Sequence, residues 1–200
     1  MRIEALIFLP IFAFNMASAV LTGNRLGSGD TAGARSGAKA AALLCLTIII
    51  FPAFLIFVFA PSISALLASD PEVLAEMTRY LRINMLAMPF MAIGITFGGA
   101  LQGAGDTLAT MRIIFTGMWL IRIPLILVAI HFFRAGAVEI WWCMTFSIVI
   151  MCGLLVNRFR GNAWIAASFD KKTKTMLWEA CLGSEMILSE KSSQTGKKQI

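Results

Sequence analysis

Long apolar stretches dominate the chain and alternate with short polar connectors. Five stretches of roughly 17 residues or more contain at most isolated polar side chains. They cover residues 5–23, 38–67, 83–101, 113–133 and 140–156. An α-helix needs about 20 apolar residues to cross the hydrocarbon layer of a bilayer. The pattern therefore predicts an all-α integral membrane protein with about five transmembrane helices.

Composition also favours the lipid bilayer as the surroundings of most of the chain. Of the 200 residues, 58% are apolar and only 14% are charged, and the mean hydropathy is +0.81. The surface of a soluble domain carries about a quarter or more charged residues. The formal net charge of +6 lies largely beside the apolar stretches, where membrane topology accounts for it. We therefore expect the bilayer, and no nucleic acid, as a partner.

The second apolar stretch is long and contains two prolines, Pro52 and Pro61. A helix of this length must tilt, kink or protrude into water. Proline interrupts the hydrogen-bond ladder of a helix, so Pro61 predicts the end of this one.

A Gly-x-Gly-Asp-Thr motif occurs twice, each time after an odd-numbered predicted helix. Its glycines and aspartates are Gly27, Gly29 and Asp30 in the first copy and Gly103, Gly105 and Asp106 in the second. Glycine permits the positive φ of a tight turn, and aspartate caps the next helix by accepting from its first amides. A phosphate cradle is the alternative, but no strand precedes the motif and no P-loop lysine follows it. These six residues are predicted to form structural turns.

Basic residues are distributed unevenly between the two predicted sides of the membrane. The side of the N-terminus has four, namely Arg2, Arg79, Arg82 and Arg134. The opposite side has nine, namely Arg25, Arg35, Lys39, Arg112, Arg158, Arg160, Lys171, Lys172 and Lys174. The positive-inside rule predicts a multi-pass protein of the cell (plasma or inner) membrane with a cytoplasmic C-terminus. With five helices, the N-terminus is then expected outside.

The composition becomes polar after the last apolar stretch. We predict a transmembrane region over residues 1–164 and a polar cytoplasmic tail over residues 165–200. Apolar side chains within 175–188 are compatible with a short interfacial helix. An unstructured tail is the alternative.

Three polar residues within the apolar stretches are candidates for a substrate pathway, because polar groups at membrane depth often mark one. Asn15 contacts either substrate or a neighbouring helix. Thr96 either faces the pathway or bonds within its own helix. Arg122, two residues before Pro124, either faces a cavity or forms a structural ion pair or carbonyl clamp.

Several types of site are missing from the sequence pattern. No acidic residue lies near the centre of any stretch, although carriers driven by H⁺ or Na⁺ usually bind the ion with a carboxylate. The four cysteines show no metal-binding or redox spacing. His131, the single histidine, is placed at a helix end. Since no enzyme motif is recognised, we predict no enzymatic activity, no metal and no cofactor.

The sequence resembles the multidrug and toxic compound extrusion (MATE) transporters. The most specific segment is Gly99-Ala-Leu-Gln-Gly-Ala-Gly-Asp-Thr107, followed by Trp119 and Arg122-Ile-Pro-Leu125. The segments 19–29 and 158–164 are similar to the family's turn after the second helix of a lobe and its basic stretch after the last helix. The resemblance covers residues 1–164 and is to the C-terminal lobe.

Members of this family have twelve helices in two six-helix lobes around a central cavity. The resemblance implies that this chain is an incomplete lobe, corresponding to the last five helices. The family exports amphiphilic, often cationic drugs and xenobiotics by antiport with H⁺ or Na⁺. The resemblance therefore also implies a small amphiphilic or cationic substrate. It further implies that a missing N-terminal lobe or a partner chain completes a truncated or split transporter. Many members carry a cation-binding acid in the third helix of this lobe segment, but residues 88–96 contain none. The residue that binds the coupling ion is therefore not found in this chain.

Two other functions remain compatible with the sequence. A lipid-linked oligosaccharide flippase of the same superfamily uses a similar scaffold, but it would be expected to place more cations than Arg122 in its cavity. A non-transporting membrane fragment would show no efflux.

Overall fold

A computed structural model describes residues 2–67, 70–133 and 136–166. Their helices are α1 (Arg2–Gly27), α2 (Thr31–Leu67), α3 (Pro71–Gly103), α4 (Thr107–Phe115), α5 (Arg122–Phe133) and α6 (Ala137–Arg160), and a π-helical segment (Thr116–Ile121) joins α4 to α5. These described ranges contain no strand. Counting α4, the π-helical segment and α5 as one fourth span, five spans are long and apolar enough to cross a membrane. The predicted fold class is confirmed, whereas the proposed helix over 175–188 lies outside the described residues.

Every span extends beyond its predicted apolar stretch at one end or both. The largest difference is in α3, which begins at Pro71 rather than near residue 83. The side chain of Asp70 accepts a hydrogen bond from the amide of Glu72, and Pro71 occupies the first turn, where its missing N–H costs nothing. The predicted boundaries were too short because hydropathy marks lipid depth, while helical hydrogen bonding continues into polar sequence.

The prediction that Pro61 ends the second helix was wrong. Both Pro52 and Pro61 lie inside α2, which continues to Leu67. Transmembrane helices tolerate proline when neighbouring groups accommodate the interrupted hydrogen bonds. The prolines therefore do not divide α2.

The fourth span is not the single α-helix that its apolar pattern suggested. In the π-helical segment, the amide of Arg122 donates to the carbonyl of Gly117, five residues earlier. Pro124 has no N–H with which to donate to the carbonyl of Leu120, so the regular ladder cannot continue here. A single wide turn is a common way to accommodate such an interruption. The π-helical turn ends directly before Arg122, so it influences the direction in which the Arg122 side chain leaves the span.

Helix α3 is the centre of the bundle and packs against α1, α2 and α6. Helix α6 also packs against α5 and the π-helical segment. Two buried apolar clusters line these contacts. One contains Leu26, Ala34, Ala38, Ala42, Phe97, Ala100, Leu101, Ala104, Leu155, Phe159 and Trp164. The other contains Ile7, Ile11, Cys45, Ile49, Ala53, Met85, Met88, Met91 and Ala92. As a result, α3 and α6 lie between α1 and the fourth span.

Helices α1 and α3 approach each other closely along two glycines of α3. A Cβ atom at Gly99 would meet the carbonyl oxygen of Asn15, and one at Gly103 would meet the carbonyl oxygen of Ala19. Glycines four residues apart lie on one face of a helix and let another backbone come near. This contact fixes α1 against α3.

The two Gly-x-Gly-Asp-Thr motifs form tight turns as predicted. Gly29 and Gly105 have φ angles of 83° and 86°, which are left-handed conformations that glycine adopts without strain. The amides of both motif aspartates are bonded to backbone carbonyls of the preceding helix, those of Arg25 and Leu101. Since these amides are already satisfied, the phosphate-cradle alternative gains no support.

The aspartates of the two copies behave differently. Asp30 caps α2 as predicted, because its Oδ1 accepts from the amide of Gly33 at 2.7 Å. That bond, assisted by Arg25, holds the pKa of Asp30 below its ordinary value. The capping prediction for Asp106 was wrong: it makes no side-chain cap. Its Oδ2 accepts instead from Nε of Arg158 at 2.8 Å, so the nearby guanidinium of α6 replaces the cap.

The segment after α6 folds back onto the end of the bundle that carries both turns, here called the glycine-turn end. Trp164 is fully buried and stacks on Phe159 with ring centroids 5.2 Å apart. Arg35 of α2 lies 5.8 Å from the centre of the Trp164 ring and donates to Oδ1 of Asn162 at 2.8 Å. The segment thereby joins α2 to the end of α6.

Candidate functional site

A cavity of about 640 Å³ lies between α1 and the fourth span, with α3 and α6 as its floor. Its wall consists of Phe8, Phe12, Asn15, Met91, Ile95, Gly98, Gln102, Ile114, Met118, Arg122, Ile148, Met151 and Leu155. Phe12 and Met118, from opposite sides of the cavity, are 56% and 44% exposed. The volume is within the usual range for small-molecule sites, about 300–1,000 Å³. We call this space the central cavity.

The wall of the central cavity is mainly aliphatic, aromatic and thioether in character. Its members on α3, Met91, Ile95, Gly98 and Gln102, follow helical spacing and share one face of the helix. Flexible methionines and aromatic rings adapt to apolar molecules of differing shape. The surface therefore suits the apolar body of an amphiphile.

Asn15 lies in this wall and also joins two helices. Its Nδ2 donates to the carbonyl oxygen of Ile95 at 2.7 Å, at the level where Gly99 admits the backbone of α1. The structure thus contains the interhelical bond that was one alternative for Asn15, together with a place on the cavity wall.

Arg122 supplies the positive charge of the central cavity. Its Nε donates to Oγ of Ser147 on α6 at 3.0 Å, and that hydroxyl donates to the carbonyl oxygen of Met144 at 2.9 Å. Among the residues that the structure describes, Arg122 makes no ion pair. The side chain is therefore held by a hydroxyl, and no acidic residue in the described part of the chain pairs with its charge.

A second, smaller cavity of about 110 Å³ lies on the other side of Arg122. It is lined by Tyr80, Ile83, Asn84, Arg122, Trp141, Met144, Thr145 and Ile148. Arg122 and Ile148 belong to the walls of both cavities. They form the partition between the central cavity and this more polar space.

Thr96, the third candidate, lies apart from these two residues. It is fully buried, and its hydroxyl donates to the carbonyl oxygen of Ala92 in its own helix at 2.7 Å. The central cavity brings Asn15 and Arg122 together but does not include Thr96. A pathway role for Thr96 remains a prediction.

Sequence reasoning did not identify Gln102 or Ser147 as site residues. Gln102 sits within the second turn motif, whose glycines and aspartate drew attention instead. The available signal was its position eleven residues after Met91, which places it on the same face of the helix. Ser147 had no distinguishing signal, because a single serine in an apolar helix ordinarily bonds to its own backbone.

Acidic side chains are absent from the described walls of both cavities. Within the same part of the chain, no group of three or more histidine, cysteine, aspartate or glutamate side chains is placed to hold a metal ion. Cys45 and Cys152 are buried and Cys143 is half-buried, and all three are free thiols. The described walls are thus mainly apolar, with a few polar groups and one guanidinium.

Comparison with known proteins gives one consistent family. The family model described as MatE matches residues 1–128. A probable multidrug resistance protein NorM of Thermotoga maritima is 28% identical over 163 residues, which are 82% of this chain and 35% of that protein. An uncharacterised transporter of Schizosaccharomyces pombe is 33% identical over 145 residues, 72% of this chain and 27% of that one. The human multidrug and toxin extrusion protein 1 is 20% identical over 160 residues, 78% and 28% of the respective chains.

The chain spans about a third of the length of these curated relatives. No solved structure matches it significantly. The family model covers more than half of the residues, including α1, α2, α3 and the region around Arg122. The chain therefore belongs to the MatE family, the multidrug and toxic compound extrusion (MATE) transporters.

Proposed function

We propose that this chain is part of a secondary transporter that exports amphiphilic drugs and other xenobiotics by antiport with H⁺ or Na⁺. Members of the MATE family are membrane transport proteins rather than enzymes, and relatives bear names of multidrug resistance or extrusion proteins. The observation that carries the proposal is the central cavity, whose apolar wall holds only a few polar groups. Such a wall binds apolar bodies with little shape specificity.

The proposal includes further helices that complete the cavity, either from a longer chain or from a partner chain. Phe12 and Met118, at the two sides of the central cavity, leave about half of their surfaces uncovered by this chain. A facing lobe would close the cavity and supply the acidic side chain for the coupling ion that the described walls lack. The proposed setting is the cell membrane with a cytoplasmic C-terminus, as the basic residues indicate.

Gradient-driven dye transport tests this function. We expect proteoliposomes containing this chain together with the helices that complete the cavity to move rhodamine B, an amphiphilic zwitterionic dye, while H⁺ or Na⁺ flows down an imposed gradient in the opposite direction. Transport should stop when an ionophore collapses that gradient, because antiport draws its free energy from it. The measurement is dye fluorescence over time, with protein-free liposomes as the control.

Dye movement no faster than in protein-free liposomes, under either gradient, would contradict the proposed function. Translocation of a fluorescent lipid-linked sugar without dye transport would support the flippase alternative instead. The described wall of the central cavity contains one guanidinium, which does not favour that alternative, since a diphosphate linkage calls for several cations.

A further inference from the structure

We propose that Arg122 makes the central cavity select amphiphiles that carry one anionic group, such as a carboxylate or sulfonate, alone or within a zwitterion. This inference rests on the proposed function and specifies its substrate class. A carrier of purely cationic drugs requires a cavity wall that does not repel positive charge, whereas the wall contributed by this chain contains the cation Arg122.

The first support is the geometry of the guanidinium. Its Nε is occupied by Ser147, so the side chain has a fixed position on the cavity wall. No described residue accepts a hydrogen bond from its two terminal nitrogens. Because Arg122 lines both cavities, its side chain borders open space that a ligand can enter. Two terminal nitrogen donors match the two oxygens of a carboxylate.

The second support is the balance of charge in the two walls. Arg122 is the one ionisable side chain among the residues described as lining the central cavity. No aspartate or glutamate is among the residues described as lining the smaller cavity. A cation in a region of low dielectric attracts an anion strongly and repels another cation. The local electrostatics therefore favour a negative headgroup.

The third support is the relation between the charge and the apolar wall. From Arg122 the central cavity continues past Met118 and Ile114 to Gln102 and Leu155 near the glycine-turn end. An amphiphile can place its apolar body along this surface while its headgroup meets the guanidinium. One arginine suits one negative charge, whereas a diphosphate would require more. The inferred substrate is thus a monoanionic amphiphile.

Three probes with one apolar body test the inference. They are pyrenebutyrate, pyrenebutanol and (4-pyrenylbutyl)trimethylammonium, titrated at pH 7 by pyrene fluorescence against the protein in nanodiscs of uncharged phosphatidylcholine. We expect pyrenebutyrate to bind about tenfold more tightly than pyrenebutanol, because one charge-assisted hydrogen-bonded contact strengthens binding by about that factor. The trimethylammonium probe should bind more weakly than the alcohol.

Variants assign the preference to its source. Arg122→Gln should remove the preference for pyrenebutyrate while pyrenebutanol binding persists, and Arg122→Lys should keep a smaller preference because it retains the charge but not the planar fork. Arg112→Gln is the matched control. It removes an exposed arginine of α4 outside both cavity walls and should leave the order of the probes unchanged.

The inference is overturned if the wild type binds the trimethylammonium probe more tightly than pyrenebutyrate. That comparison does not depend on whether any variant folds. It is also overturned if Arg122→Gln, with normal pyrenebutanol affinity, keeps the preference. Dye transport without an anion preference would contradict this inference alone, whereas an anion preference without dye transport would contradict the proposed function alone.

Discussion

The substitution Gly103→Ala should destabilise the protein by about 2–3 kcal/mol, although alanine is the better helix former. The added Cβ would meet the backbone of Ala19 at its carbonyl oxygen, carbonyl carbon and Cα. A backbone cannot rotate away as a flexible side chain does. Helix α1 would have to move off α3, and the contacts along their shared face would be lost.

Gly153→Ala is the matched control for this prediction. Gly153 lies inside α6, and a Cβ there would meet no neighbouring side chain or helix within 4 Å. The same chemical change should therefore stabilise the protein slightly, by up to about 1 kcal/mol. Thermal unfolding of both variants in nanodiscs is the measurement. Equal shifts of both melting temperatures in the same direction would contradict the close α1–α3 contact.

Asp106→Asn should destabilise the protein by about 1–2 kcal/mol, because it removes the counter-charge of the half-buried Arg158 guanidinium. The side chain of Asp106 is only 8% exposed, and that of Arg158 is 33% exposed. Asparagine keeps the shape of aspartate but not its charge. The change thus removes the ion pair without opening a cavity.

The other copy of the motif provides the control. Asp30→Asn removes the same charge from an exposed pair, in which the Arg25 and Asp30 side chains are 53% and 41% exposed. Exposed pairs contribute little, and asparagine is as good an N-cap as aspartate. Unfolding free energies near pH 7 should therefore differ sharply between the two variants. If Asp30→Asn lowered the unfolding free energy as much as Asp106→Asn does, the conclusion that the Asp106–Arg158 pair is the more stabilising of the two would be overturned.

These two aspartates show how far the sequence was informative. Both motifs were recognised as helix-to-helix turns, and the positive φ angles of Gly29 and Gly105 confirmed it. The capping role followed from local spacing and was confirmed for Asp30. It failed for Asp106 because its partner, Arg158, is 52 residues away. Local pattern contains no information about which distant cation folds onto a turn.

The site was predictable to a similar degree. Asn15 and Arg122 stood out because polar groups are costly in lipid, and the structure places both on the central cavity. The apolar members of the wall, such as Met118 and Met151, were indistinguishable from lipid-facing or core residues. The π-helical segment before Arg122 was also not predicted, since the apolar pattern around Pro124 reads as one continuous helix.

The proposed binding site for the transported molecule is the central cavity between α1 and the fourth span. Gly98 permits a direct test, because it lies in the cavity wall and a Cβ there meets only Leu155 and Thr110 at ordinary contact distances of 3.9 Å. Gly98→Phe should fill the central cavity, whereas Gly98→Ala should leave most of it open.

The decisive measurement is the affinity of the uncharged probe pyrenebutanol for these two variants and the wild type. We predict that Gly98→Phe weakens binding at least about tenfold, through lost apolar contact, while Gly98→Ala binds nearly as the wild type does. Both variants should keep wild-type melting temperatures within a few degrees. Undiminished binding by a folded Gly98→Phe variant would contradict the claim that this cavity is the substrate site.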